Sequence, residues 1–390
     1  MAGATLIAIT TGTRQSLGLF VRPLAATGLG IAAVSLALAV AQFFWGAAQP
    51  IFGLLADRFG TTRVIVLGGL LLAAGLALAP VFTGPFGLFA TLGVVSAVGA
   101  GAASFAILIG AVARRVPGEH QPLAAGFINS GASLGQFVFA PLTQAVIVWA
   151  GWQAALWTLA GLAALSTLLA RPAAGEASGS ASPPPPAMPV VAMLGTAFRD
   201  RSYWCLHASF FACGFHIAFL VTHLPNEVAV CGLPASAAAT ALAVIGLLNV
   251  VGSLGFGWLG GRFRFKSLLA ALYAARVAAI AAYLAAPKTL FTLYCFAAVL
   301  GFTWLATVPS TAGLVAKLFG PRYVSTLFGM TLVTHQTGAF FGAWLGGIVM
   351  ARTGSYHWVW IADMGLALVA AAANWPIRES PLRERVAAAA

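Results

Sequence analysis

A chain of 390 residues with 61% hydrophobic and only 7% charged residues cannot build a water-facing surface, since a soluble domain carries roughly 25% charged residues. Its apolar residues run in blocks of about 20 or more, long enough to cross a hydrocarbon core of roughly 30 Å as helix. The net charge of +12 raises nucleic acid as a partner, but basic residues of membrane proteins gather in cytoplasmic loops; here they do so, and no nucleic-acid partner is expected.

Within lipid every backbone polar group must be paired inside the protein, which leaves a helix bundle or a closed barrel. The blocks are continuous and rich in Ala, Leu and Gly, without the alternation of barrel strands, so an all-α membrane protein of twelve transmembrane helices is predicted. In chain order the first six fall near 3–24, 30–55, 64–83, 87–112, 122–148 and 153–171. The second six fall near 203–225, 236–260, 267–286, 289–314, 323–350 and 356–376. Turn residues such as Pro117-Gly118 and Gly320-Pro321 punctuate the short loops. The first run starts almost at Met1, is too long for a cleavable signal peptide and leads into a second run.

Between the sixth and seventh helices, Gly175-Glu176-Ala177-Ser178-Gly179-Ser180 and Pro183 to Pro186 read as a flexible, partly extended linker with no core-forming pattern. The chain therefore divides into an N-terminal six-helix bundle (1–171), a cytoplasmic linker (172–200) and a C-terminal six-helix bundle with a short cytoplasmic tail (201–390).

With Met1 inside, the inner loops and tail carry Arg58, Arg63, Arg114, Arg115, Arg171, Arg199, Arg201, Arg262, Arg264, Lys266, Lys317, Arg322, Arg378, Arg383 and Arg385. The outer loops carry only Arg22, Lys288 and Arg352. That bias predicts a multi-pass protein of the cell inner membrane with both termini in the cytoplasm, and it supports the count of twelve.

The two halves repeat at an offset of about 203 residues. Gly53-Leu54-Leu55-Ala56-Asp57-Arg58-Phe59 falls on Gly257-Trp258-Leu259-Gly260-Gly261-Arg262-Phe263, and Gly126, Gly135, Phe137 and Ala140 fall on Gly329, Gly338, Phe340 and Ala343. Two parallel repeats predict one solute site between them near the midplane and alternating access by rocking of the halves.

The stretch from Gly53 through Asp57, Arg58 and Gly60 to Arg63 resembles the signature between helices two and three of the major facilitator superfamily, departing from it at Thr61 and Thr62. The resemblance implies two pseudo-symmetric six-helix bundles. It also implies a conformational latch of Gly53, Asp57, Arg58, Gly60 and Arg63, with Arg262 in the second copy, where Gly261 replaces the Asp. Within that superfamily, Gly12-Thr13-Arg14-Gln15-Ser16-Leu17-Gly18 and Asn129-Ser130-Gly131-Ala132-Ser133-Leu134-Gly135-Gln136-Phe137 resemble the monocarboxylate and oxalate/formate-type branch. That branch often carries a basic residue in the eighth or eleventh helix. Here Asn249 and His335-Gln336 stand instead, which argues against a dicarboxylate.

Arg14 lies mid-helix, where a charge costs several kcal/mol unless it meets water or a partner; its guanidinium can hold a carboxylate through two parallel hydrogen bonds. It is the leading substrate-anion residue, with Gln15, Gln42, Asn129, Ser133, Gln136, His216, Asn249, Thr303, His335 and Gln336 as further candidates for binding a small polar solute. His216, the repeat counterpart of Arg14, and His335 could also carry a proton. Phe43, Phe44, Trp45, Phe211 and Trp304 are candidate apolar gates. Arg276 and Asp363 lie within helices nine and twelve and are read as an internal ion pair, with proton coupling at Asp363 as the alternative.

The expected function is secondary transport of a small organic anion, a monocarboxylate, by proton symport or anion exchange, in a monomer within the bilayer. Efflux of a drug or metabolite by an antiporter of the same fold is the rival, weakened because Ala132 and Gln136 stand where that class has Pro and Gly. No metal motif, paired carboxylates or nucleophile with a base supports an enzyme, and no G-x-x-x-x-G-K-[ST] loop supports ATP as the driver. Cys205, Cys213, Cys231 and Cys295 lack CxxC spacing and read as packing residues, with no disulfide, metal or cofactor expected.

Overall fold

The computed structural model describes residues 1–102, 107–108, 121–174, 190–320 and 324–380. Helices occupy the predicted positions. We label them α1 (Ala2–Ser16), α2 (Gly30–Phe59), α3 (Thr61–Leu78), α4 (from Pro85–Leu88 to Ser96–Ala102), α5 and α6 (the two parts of Gln121–Ser166 on either side of Gly151), α7 (Arg201–Val230), α8 (Ala235–Leu259), α9 (Phe265–Ala285), α10 (Leu290–Trp304 and Thr307–Phe319), α11 (Val324–Thr353) and α12 (His357–Asn374). The end of the predicted fourth helix, with Arg114 and Arg115, lies outside the described residues, as do Arg322, Arg383 and Arg385.

Breaks fall where the backbone chemistry demands them. Gly60 adopts φ 92° between α2 and α3, a left-handed conformation that costs an L-residue roughly 1–2 kcal/mol. Past α1, the helical path tightens into a 3₁₀ turn at Leu17–Phe20 and widens into a π turn at Ala25–Leu29. Two residues bend it: Ser16 Oγ donates back to the carbonyl of Gly12 at 2.8 Å, a bond that bends helices, and Pro23 has no N–H to give.

One segment departs from expectation. Val190–Ala197, inside the predicted linker, is a helix, and Met193 and Ala197 join a core with Tyr203, Leu206, Leu269 and Leu314. The run Val190-Val191-Ala192-Met193-Leu194 is apolar enough to dock but too short to register as a spanning block. Residues 175–189 of that linker lie outside the described residues.

The chain divides into two compact units. The first comprises Met1–Ser180, Ala218–Leu247 and Ala339–His357; the second comprises Ala181–Ile217, Leu248–Gly338 and Trp358–Ala390. The core of the first unit is built by Phe20 and Leu24 after α1, Leu72 and Leu76 of α3, Leu88 and Leu92 of α4, and Leu156 and Leu159 of α6. Large apolar side chains such as Trp149, Phe86 and Ile51 point outward, as a lipid-facing surface requires.

Within the first unit, glycines bring helices into backbone contact. A Cβ at Gly12 would sit 2.7 Å from the carbonyl oxygen of Gly135, one at Gly135 would sit 2.1 Å from that of Ala8, and one at Gly131 would sit 2.4 Å from that of Ala4. These contacts seat α1 on α5, the packing that small residues allow in membranes, where apolar surface alone does not drive association. Similar contacts join Gly18 to the backbone of Val221, Gly246 to that of Ser133, and Gly347 to the side chain of Ser35. Gly135→Ala must push α1 away, an overpacking cost of about 1–3 kcal/mol. A lower melting temperature in detergent, with the helical circular dichroism retained, is the expected result.

Candidate functional site

Arg14 sits near the C-terminal end of α1, half-buried, beside a small pocket also lined by Leu17, Gly18, Leu38, Ala41, Gln42, Val221 and Thr222. Helical spacing assembles it. Gly18 is one turn beyond Arg14, and Leu38, Gln42 and Trp45 recur on one face of α2. All the lining residues belong to the first unit.

Three features fix the guanidinium. Nη1 donates to Gln42 Oε1 at 2.6 Å, a charge-assisted bond worth about 1.5–3 kcal/mol. The Trp45 ring lies 4.2 Å below Cζ, a cation–π contact worth about 0.5–2 kcal/mol. Nε is buried without a protein partner. With one face covered by indole and Nη1 engaged, the side edge formed by Nε and Nη2 is the part of the fork left for a ligand. That edge matches the two oxygens of a carboxylate. Thr222 brings a hydroxyl-bearing side chain to the wall, while Leu17, Leu38, Ala41 and Val221 make the rest of the wall apolar.

The other candidates of the first unit are placed differently. Gln15 is buried with Oε1 unpaired, and Gln136 is fully buried with both amide atoms unpaired. Ser133 is buried on α5 where Gly246 packs. None of the three lines the pocket beside Arg14. The side chain of Asn129 lies outside the described residues. Trp45, expected as a gate, instead covers the cation; its position three residues after Gln42 was the available signal. Val221 and Thr222 carried none, because only folding brings them to α1.

The second unit holds a separate polar network. Its centre is a break in α10 between Trp304 and Thr307. Pro309 has no N–H for the carbonyl of Leu305, and the N–H of Val308 shifts to that carbonyl at 3.1 Å, which frees carbonyls one turn earlier. Arg276 Nη2 fills the gap by donating to the carbonyls of Thr303 and Trp304 at 2.9 and 3.0 Å. Thr307 Oγ1 also donates to Trp304 at 2.9 Å. Asn249 Oδ1 accepts from the N–H of Leu305 at 3.0 Å, and Nη1 of Arg276 donates to Cys213 Sγ at 3.4 Å.

These contacts correct two expectations. Arg276 and Asp363 do not form a direct ion pair among the described residues: Arg276 caps a broken helix, and Asp363 Oδ2 lies 2.5 Å from Nδ1 of His216. Cys213 is not mere packing, since it accepts from the guanidinium. Asn249 serves the break as well, while Thr303 Oγ1 donates one turn back along its own helix to the carbonyl of Val299 at 3.0 Å. His335 Nδ1 meets Gln336 Nε2 at 3.1 Å, and its ring packs 5.0 Å from that of Phe210. His223 belongs to the first unit, where it contacts the Tyr356 hydroxyl at 3.0 Å and the carbonyl of Ala343 at 2.7 Å.

Of the latch residues, Gly53 is half-buried, Arg58, Gly60 and Arg63 are exposed, and the side chain of Asp57 lies outside the described residues. Arg58 lies 5.4 Å over the ring of Phe59, and Arg262 lies 3.8 Å over that of Trp258.

Comparisons with known proteins follow the same outline. The family model described as Major Facilitator Superfamily matches residues 3–343. Monocarboxylate transporter 13 of Rattus norvegicus is 26% identical over 329 residues, covering 83% of this chain and 73% of the relative. The oxalate:formate antiporter of Oxalobacter formigenes is 25% identical over 357 residues, covering 90% and 84%. Among solved structures, a D-xylose-proton symporter superposes with a TM-score of 0.76 at 15% identity, covering 97% of each chain.

Proposed function

Because the chain belongs to the Major Facilitator Superfamily, whose matching relatives are transporters and not enzymes, we propose that it carries a small organic monoanion, a monocarboxylate, across the cell inner membrane. Transport proceeds by alternating access, with proton symport or anion exchange as the driver. The carrying observation is the Arg14 guanidinium, anchored by Gln42 and Trp45 with its Nε side lacking a protein partner in a pocket that is otherwise mostly apolar. A carboxylate takes the fork and a short aliphatic or hydroxylated tail takes the wall. Among the described residues no second cation lines the pocket, which disfavours a solute with two carboxylates. The name of the first sequence relative above points to monocarboxylates, and that of the second to one dicarboxylate and one monocarboxylate, oxalate and formate.

On this reading the bundles 1–171 and 201–390 rock about the site, joined by the segment 172–200, in a monomer with both termini in the cytoplasm. Asp57, Arg58, Arg63 and Arg262, with Gly53 and Gly60 at the turn, latch the cytoplasmic side. Gln15, Ser133 and Gln136 line the path further along the first bundle.

The test is uptake into proteoliposomes from a panel of labelled monocarboxylates, dicarboxylates and lipophilic cations, with and without a pH gradient. Saturable uptake of one or more monocarboxylates, with dicarboxylates taken up at least about tenfold more slowly, is expected. Transport confined to lipophilic cations would overturn the assignment and favour efflux.

A further inference from the structure

His216 and Asp363 form a buried pair that the carboxylate site does not use. Their side chains are 2% and 0% exposed, and Nδ1 of the imidazole lies 2.5 Å from Oδ2 of the carboxyl. The other carboxyl oxygen, Oδ1, is buried with no partner. A purely structural ion pair in a low-dielectric interior requires its remaining lone pairs to be satisfied. Here one carboxylate oxygen is left bare, an acceptor with nothing to accept.

The choice of base matters as much. Arginine would make a permanent pair, whereas imidazole changes charge near neutral pH. Most donors of the charged and titratable groups around the pair are engaged elsewhere, the exception being Arg276 Nε, which is buried without a partner. Arg276 of α9 is held by the carbonyls of Thr303 and Trp304 and by Cys213 of α7, and Tyr273 of α9 donates its hydroxyl to the carbonyl of Ser209. His335 of α11 is bonded to Gln336. On α10, next to the break, Thr303 and Thr307 add only hydroxyls and carbonyls.

We propose that His216 and Asp363 are the proton-binding site of the transport cycle, loading and releasing one proton per turnover as a coupled unit. The resting pair shares one proton between Nδ1 and Oδ2. The second arrives from water, forms a new N–H or O–H bond on the pair, and returns to water on the other side of the membrane. Proton and solute anion carry opposite charges, and loading one lowers the cost of bringing the other into the membrane. The proposal takes the proton-symport branch of the transport reading above.

The test has a substrate-free arm. Infrared difference spectra of the purified protein, titrated over about pH 4 to 9, the range that spans carboxyl and imidazole groups, should show a carboxyl band and a histidine ring band changing together. Both should vanish in Asp363→Asn and in His216→Gln. In proteoliposomes, the same variants should lose pH-driven accumulation by at least about tenfold. Because either substitution can impair folding, Asp363→Glu is read alongside and should retain a displaced titration. Wild-type spectra with no coupled carboxyl–imidazole event, or Asp363→Asn accumulating solute normally against the gradient, would overturn the proposal. A coupled event in a protein that moves no monocarboxylate would leave this site standing and remove the solute assignment instead.

Discussion

Arg14→Ala should abolish measurable uptake of the monocarboxylate while the protein still inserts, elutes as a single species and keeps its helical spectrum. Removing one member of a buried, hydrogen-bonded charge pair costs about 2–5 kcal/mol, which is roughly 30-fold to several thousand-fold in affinity. Folding tolerates the change because the guanidinium is half-buried beside a pocket and its one protein hydrogen bond is to Gln42. Arg14→Lys keeps the charge but not the two-pronged edge, so it should fall between wild type and Ala. Gln42→Leu should weaken affinity by about tenfold without abolishing transport, since it removes orientation and leaves the cation. Uptake by Arg14→Ala at the wild-type rate would show that the solute binds elsewhere.

Arg276→Met should destabilise the protein more than any other single change considered above. The lost side chain leaves the carbonyls of Thr303 and Trp304 without their guanidinium donor. Leaving a buried acceptor without its donor costs about 1–3 kcal/mol, and thermal unfolding in detergent should register it as a clear drop in melting temperature. Pro309 supplies a control. Pro309→Ala restores the N–H that the carbonyl of Leu305 lacks and allows α10 to close into regular helix, so the double variant should recover part of the lost stability. Strict additivity of the two changes would show that Arg276 does not act through the break, because coupled residues depart from additivity.

The spans and their ends were legible because both rest on local chemistry. Apolar runs of membrane length set the helices, and the glycines at positions 60, 151, 320 and 354, all with positive φ, mark the breaks between them. The rotation of each helix was not legible. In a water-soluble protein the polar face announces the outside, but here lipid and interior are both apolar. Leu6 and Leu24 are buried while Ile51 and Phe291 are exposed, and nothing in their chemistry separates them. For the same reason the partner of Asp363 could not be read. Arg276 and His216 were equally available from other helices, and only the phase of α7 against α12 decides between them. The helix Val190–Ala197 was hidden by its length, in a neighbourhood dominated by Gly, Ser and Pro. Arg14 was legible as a site residue because a charge in the middle of an apolar run demands an explanation whatever its surroundings.

The glycine seam between α1 and α5 has a mechanical consequence. With Gly12, Gly131 and Gly135 pressing main chain on main chain, the two helices leave no side-chain cushion that could shear. They form a stiff plank, and Arg14 is bolted to it. Any rearrangement that hands the solute from one side of the membrane to the other must carry the cation along with Ser133 and Gln136 as one piece, so the motion has to be taken up at the plank's borders and not within it.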